Sequence, residues 1–442
     1  MKKLAWLIAA PLLSSPLYAA DLMQVYRDAQ DNDPTFAAAR ATLDAGREKQ
    51  PQGRAGLLPS LTLSGNTTWN ENEISTHNGP TIARPNYNSN GYQLTLSQPL
   101  FRWQNWVGYD QSKIQVAQAE ANFAQAKQDL ILRVAQAYFD VLNADESLTA
   151  VRANKQAISQ QLELAKKSFE VGTATITDTH EAQARFDLAS AQEIAAESDL
   201  EVKKRTLQAI VGKEAGALAM LRKGAELSPP SPNNMNDWVG AAEKDSLSVQ
   251  VQQANADIAA REVDKQRAGH YPTVDAVANY GYAKSYNSLS GTSIDTDYRN
   301  AGLQVSIPLF AGGLTVSKQR EATANRYAAE SGLEAAKRSA ALAARQYYLG
   351  VANGLAQVKA LKAALVSSQS ALESNKLGYE VGVRINIDVL NAENQVYVTR
   401  RDLAKATFDT LMAQLRLKAA VGALSEDDVA QINALLDPTN LR

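Results

Sequence analysis

The chain has no cysteine. That excludes disulfides, thiolate metal sites and a lipid-anchored N-terminal cysteine. Its three histidines, His77, His180 and His270, are scattered, so no metal centre is expected from them. Neither charge sign is in excess: 45 Lys and Arg stand against 47 Asp and Glu. The basic footprint of a nucleic-acid binder is therefore missing. Past the N-terminus no apolar run is long enough for a membrane-spanning helix. No G-x-S-x-G, P-loop, metal triad or nucleotide fingerprint occurs. The sequence is expected to be no enzyme and to need no cofactor.

Proline and glycine are also nearly absent from three long stretches. Leu100 to Val171 holds no proline and only Gly108. Thr173 to Val211 and Val383 to Val421 have neither. These stretches are rich in Ala, Gln, Leu, Glu and Lys, all strong helix formers. Apolar residues recur at three and four, as at Leu130, Val134, Tyr138 and Val141. Helices of about 70 residues would run roughly 100 Å. A long solvent-exposed coiled coil is the alternative that the helices alone leave open.

The first residues, "MKKLAWLIAAPLLSSPLYAAD", combine a basic start, a short apolar middle and small closing residues. This is a secretory signal peptide, residues 1–19, cut after Ala19 or Ala20.

The rest of the chain repeats one design twice. "FEVGTATITD" from Phe169 answers "YEVGVRINID" from Tyr379. "QLTLSQPLF" ending at Phe101 answers "GLQVSIPLF" ending at Phe310, and "LQAIVG" at Gly212 answers "LKAAVG" at Gly422. The spacing divides the chain into a first repeat (20–222), a linker (223–237), a second repeat (238–422) and a C-terminal segment (423–442). Each repeat carries paired stretches of period-two alternation, at about 60–100 and 272–309, flanked by Pro or Gly. Leu61, Leu63, Tyr92, Leu94, Leu96, Val274, Leu303, Val305 and Ile307 would share one face. Thr62, Ser64, Gln93, Thr95, Asp275, Gln304 and Ser306 would share the other. Asn70 to Asn90 and Lys284 to Asn300 read as polar loops. A soluble sheet with one buried face fits the alternation. So does a membrane strand, which needs about ten residues. In lipid, four strands could not close alone, because unpaired edges are not tolerated there. Copies would have to pool them.

In the twin phrases Gly172 and Gly382 suit a left-handed helix end. Thr175-x-x-Asp178 reads as a capping box, and Asn386 as the other cap. Asp178 and Asp388 would then lie in first helical turns, where the dipole favours them.

"LMQVYRDAQDNDP", "LLPSL", "AYFDVLNA", "SFEVGTATITD", "AGHYPTVD", "SIPLFAGG" and "YEVGVRINIDVLNAEN" occur in order. On these motifs the chain resembles the TolC family of outer-membrane efflux and secretion ducts, from about Asp21 to the last fifteen residues. The resemblance implies a mainly α fold with β, the outer-membrane efflux protein fold. It implies a homotrimer whose twelve-strand barrel in outer-membrane lipid continues into a twelve-helix tunnel in the periplasm. The linker and C-terminal segment would form an equatorial girdle. Such a duct serves type I secretion or tripartite multidrug efflux. It would be passive, opened by a periplasmic adaptor and an inner-membrane ABC or RND transporter. The rival reading is a periplasmic coiled-coil adaptor, which would lack the repeated strands.

The resemblance also assigns residues. Asp178, Tyr379 and Arg384 match the polar links that hold the periplasmic entrance shut. Gln161 and Lys376 match a further link, with Lys376 standing where the family has a glutamate. Asp388 matches the first aspartate of an acidic constriction, and Asn391 replaces the second. Gly172, Thr173, Gly382 and Val383 match the tips that dock the adaptor.

Overall fold

Where the sequence withholds proline and glycine, helices run unbroken. The computed structural model describes residues 20–71, 73–74, 77, 82–83, 86–173, 175–214, 216–222, 224–287 and 292–441. The expected signal peptide lies outside them. In chain order the elements are α1 (Leu22–Asn32), α2 (Pro34–Arg47), α3 (Lys49–Ala55), β1 (Ser60–Asn70), β2 (Glu73–Ile74), β3 (Ile82–Ala83) and β4 (Tyr87–Phe101). Then come α4 (Trp103–Glu170), α5 (Ile176–Val211), β5 (Ala219–Leu221), α6 (Met235–Asp245) and α7 (Leu247–Arg267). The second half adds β6 (Thr273–Asn287), β7 (Thr292–Ser306), α8 (Leu314–Glu380), α9 (Asn386–Ala420), α10 (Glu426–Asn433) and β8 (Leu436–Leu441). A 3₁₀ turn, Ala268–His270, precedes β6.

Two units divide these elements. One comprises Arg40–Phe123 and Ser248–Arg338. It contains an antiparallel sheet of order β1-β4-β6-β7. The register sorts side chains by face. One face carries the rows Leu61–Leu96–Ala278–Ala301 and Leu63–Leu94–Tyr280–Arg299. Its side chains stand uncovered: Leu61 is 65% exposed, Leu63 71% and Leu303 70%. The opposite face is stitched by polar groups. Gln93 donates to Asn279 at 2.9 Å, Thr95 to Asn279 at 2.8 Å and Asn279 to Asn300 at 2.9 Å. The Tyr298 hydroxyl donates to Gln93 Oε1 at 3.2 Å. β1 and β7 each pair on one side only among the described residues.

Two expectations need correction. β4, β6 and β7 run 15 residues each, so much of the stretch read as a loop from Lys284 is ladder, paired out to Asn287 and Thr292. An antiparallel ladder is held by backbone bonds, and polar residues continue it wherever both faces can meet water. Asp275 is not wet. It is buried, and Arg102 grips both its oxygens.

The other unit runs to Ala39 and adds Ala124–Leu247 and Ser339–Arg442. Its core gathers Leu22, Tyr26, Leu130, Ile131, Tyr138, Phe139, Leu207, Leu411 and Leu436, all nearly inaccessible. Phe139 stacks on Phe408 with ring centres 5.5 Å apart. The Tyr138 hydroxyl donates to the Ala219 carbonyl at 2.8 Å. β5 pairs with β8, so the mixed α/β patch begins at Ala219, within the expected first repeat. The described part of the 223–237 linker is irregular until α6 starts at Met235.

Candidate functional site: the paired hairpin tips

Helix α4 stops because Gly172 takes φ 75° and Gly382 does the same for α8 at φ 79°. Only a residue without Cβ adopts this region freely. The last carbonyls are then used twice. Thr173 N–H reaches the Ser168 carbonyl at 2.8 Å, and Val383 N–H reaches that of Gly378 at 2.9 Å. These are the bonds of a left-handed helix end. Gly172, Thr173, Gly382 and Val383 are all exposed at the bends. Beside them Val171, Val381 and Ile385 are exposed too.

The two restarts differ. Thr175 caps α5 with a full box. The Asp178 carboxylate accepts from the Thr175 N–H at 2.9 Å and its hydroxyl at 2.8 Å, while Asp178 N–H donates back to Thr175 Oγ1 at 3.3 Å. On α9 the cap is Ile385, not Asn386, which already lies in the helix. Ile385 has no side-chain acceptor, so only half the box forms. Ile385 N–H donates to Asp388 Oδ2 at 3.4 Å, and Asp388 N–H reaches the Ile385 carbonyl at 3.1 Å.

Within one chain, Asp178 meets neither Tyr379 nor Arg384 among the described residues. Arg384 Nη1 lies 3.7 Å from Asp388 Oδ2. Tyr379 is half-buried on the last turn of α8, and Asn391 is exposed three residues beyond Asp388. Lys376 does not meet Gln161. Its Nζ lies 3.0 Å from Glu393 Oε1. A carboxylate on the neighbouring helix outcompetes a neutral amide for an ammonium.

Above the bends α4, α5 and α9 pack through Ile158, Ala189 and Leu390, with Phe186 against them. Leu162, Ala165 and Ala182 form a second cluster on the same ring. Arg152 and Lys155 of α4 reach Glu193 of α5 at 3.0 and 2.8 Å. Lys155 first, then Arg152, hold the Glu193 carboxyl below its ordinary value. On the same three helices are buried polar atoms without a partner among the described residues: Gln161 Oε1, Thr179 Oγ1, Asn386 Oδ1 and Glu393 Oε2. Such atoms cost stability unless something answers them.

Two residues escaped the sequence reading. Glu393 continues the stripe of Val389, Leu390 and Val396, so a charge on an apolar face was the available signal. Gly378 left no sequence signal. Its missing Cβ makes room for the Arg384 stem.

Long helical hairpins written twice, joined to a sheet with one bare apolar face, define an outer-membrane exit duct. The family model described as "Outer membrane efflux protein" matches residues 25–213 and again 238–423. The chain belongs to this family, and its two matches are the two repeats. It is 33% identical to outer membrane protein TolC of Vibrio cholerae serotype O1 over 98% of each sequence. To alkaline protease secretion protein AprF of Pseudomonas aeruginosa it is 32% identical, covering 98% of this chain and 91% of that one. Its fold matches the Campylobacter jejuni CmeC outer membrane channel with a TM-score of 0.79, at 16% identity, over 94% of this chain and 90% of that chain.

Proposed function

We propose that three copies of this chain form one passive duct, with twelve strands in outer-membrane lipid and helices carrying the conduit into the periplasm. The observation that carries this reading is the four-stranded sheet, with its bare apolar face and two edges paired on one side only. Unpaired edges cost several kcal/mol per group in hydrocarbon. Edge β7 of one copy meeting edge β1 of the next removes them all. The polar face then lines the lumen.

The hairpin tips close the far end. Arg384 offers a fork of donors and Tyr379 a hydroxyl to Asp178 of a neighbouring hairpin. Reaching it exchanges the capping bonds that Asp178 makes with Thr175 in the isolated chain. Gln161 has an unanswered carbonyl that suits an added donor. Each wet link is worth about 0–1 kcal/mol, so three sets hold the tip by a few kcal/mol. The exposed bends, Gly172, Thr173, Gly382 and Val383, take a periplasmic adaptor, whose better fit to the open state shifts the population. An ABC or RND transporter of the inner membrane supplies the drive. A relative named for alkaline protease secretion makes polypeptide one cargo class to test.

In planar bilayers, Arg384→Ser and Tyr379→Phe should each raise single-channel conductance, and the double variant more. A double variant conducting like wild type would rule out the latch. Recovery of a detergent-free, water-soluble monomer would rule out the duct.

A further inference from the structure

Glu393 is the unusual residue of the tip region. Its side chain is 4% exposed, yet it carries a carboxylate. One oxygen lies 3.0 Å from the Lys376 ammonium. The other has no partner among the described residues. The contact joins α8 to α9, and it is the only ion pair between those helices among the described residues. Glu393 stands seven residues past the start of α9 at Asn386, which is about 10 Å along the helix. The pair therefore sits two turns from the bend.

Among the described residues the first hairpin has no such fastening. The residues equivalent by the repeat are Lys166 and Gln183. Lys166 turns instead to Glu163 on its own helix, at 3.4 Å. The nearest charged links from α4 to α5 are those to Glu193, seventeen residues past Ile176. That is about 25 Å along the helix. So one hairpin is pinned near its tip and the other much higher.

Tyr397, one turn beyond Glu393, feels the same charges. Burial first, then Glu393, push its phenol up against the opposing pull of Lys376 and Arg400.

We propose that Lys376 and Glu393 form an intrachain clasp that makes the α8–α9 tip move as one piece, so that Tyr379, Arg384 and Asp388 are presented together. Lys376 is then a positioning residue: it acts through Glu393 on the bend and does not itself bridge chains. The inference rests on the gated-duct reading for its consequence, but the clasp itself is tested apart from it. A buried carboxylate robbed of its cation is strongly unfavourable, so losing Lys376 should force the arms apart to let water reach Glu393.

The test uses the full-length protein in detergent. Amide hydrogen exchange is followed over both tips in wild type, Lys376→Gln, Lys376→Arg, the double variant Lys376→Gln with Glu393→Gln, and Arg384→Ser. Lys376→Gln should speed exchange from Gly378 to Leu390 at least tenfold, with less than twofold change around Gly172. Lys376→Arg should stay within twofold of wild type. The double variant should exchange more slowly than Lys376→Gln alone, since no buried charge is then left unpaired. Arg384→Ser should leave α8 and α9 exchange within twofold while raising conductance. Unchanged exchange in Lys376→Gln, or equal loosening in Lys376→Arg, overturns the clasp. If Arg384→Ser raises conductance and Lys376→Gln neither loosens the tip nor conducts more, the clasp fails and the gate stands. If Lys376→Gln loosens the tip but neither variant changes conductance, the clasp stands and the gate fails.

Discussion

Arg102 holds Asp275 with two parallel bonds, Nε to Oδ1 at 2.8 Å and Nη2 to Oδ2 at 2.7 Å. The pair joins the end of β4 to the start of β6, where the register slips between Pro99 and Phe101. The second repeat has Ala311 at the position of Arg102, after the same Pro-Leu-Phe. The sheet is therefore fastened by charge at one of its two feet.

Arg102→Ala strands a carboxylate that is almost fully buried. Removing one partner of a buried charged bond costs about 1–3 kcal/mol or more, and the half-exposed Arg102 places this case at the lower end. Adding Asp275→Asn should recover most of the loss. Urea unfolding followed by circular dichroism in micelles would check both steps. Equal destabilisation by the single and double variants would mean that the stranded carboxylate is not the source of the loss.

The fold was largely legible because its signals are local. Missing proline and glycine mark α4, α5 and α9 within a few residues, and Gly172 and Gly382 take the left-handed turn expected of them. What was not legible depends on partners. Asp275 alternates correctly, but no spacing rule says that Arg102 will cover it. Asn386 is a better capping residue than Ile385 by type, yet the bend ends one residue earlier and puts Ile385 at the cap. The family resemblance pairs Lys376 with Gln161. The partner of Lys376 is Glu393, because a carboxylate lies within reach on the adjacent helix.

The unequal caps give a second expectation. Thr175→Ala should loosen the first turn of α5 by about 1 kcal/mol, the usual worth of a capping side chain. Ile385→Thr supplies the acceptor that α9 lacks and should tighten its first turn by a similar amount. Amide exchange at Thr179 and Val389 would report each change. No change at Val389 would mean that the half box already suffices.

Asn391 gives a third. It is exposed, three residues from Asp388 and so on the same side of α9. Within one chain Arg384 lies 3.7 Å from the Asp388 carboxylate, and the proposed latch draws it away to Asp178. A constriction built on this pair would carry one carboxylate per chain instead of two. Asn391→Asp should move the reversal potential in a salt gradient toward cation preference and strengthen block by multivalent cations. An unaltered reversal potential would place Asn391 away from the narrowest point.

Asp33 gives a pH dependence. It is buried at the junction of α1 and α2, where Arg133 and the Thr35 N–H bind its carboxylate. Burial alone would raise this carboxyl; the Arg133 bond and the Thr35 and Phe36 amides outweigh it and hold it below the ordinary 3.8. A carboxyl lowered on folding stabilises the protein above its ordinary value and loses that contribution as pH falls through the lowered one. Asp33→Asn should therefore melt below wild type at neutral pH. The gap should close in acid, below the ordinary value. A gap constant across the titration would assign the effect to packing alone.

Gly378 ties helix packing to the proposed latch. A Cβ built there would lie 2.7 Å from Arg384 Cγ and 3.4 Å from its Cβ. The Gly378 carbonyl also receives the Val383 and Arg384 N–H groups, at 2.9 and 3.0 Å. Gly378→Ala leaves those backbone bonds possible and favours the helix by propensity, by up to about 1 kcal/mol. The added methyl must still displace the Arg384 stem. The variant should therefore keep or gain helix stability while conductance rises toward that of Arg384→Ser. That opposition separates the two roles: a purely structural glycine would lower stability and conductance control together, and a conductance equal to wild type would show that Arg384 needs no bed on α8.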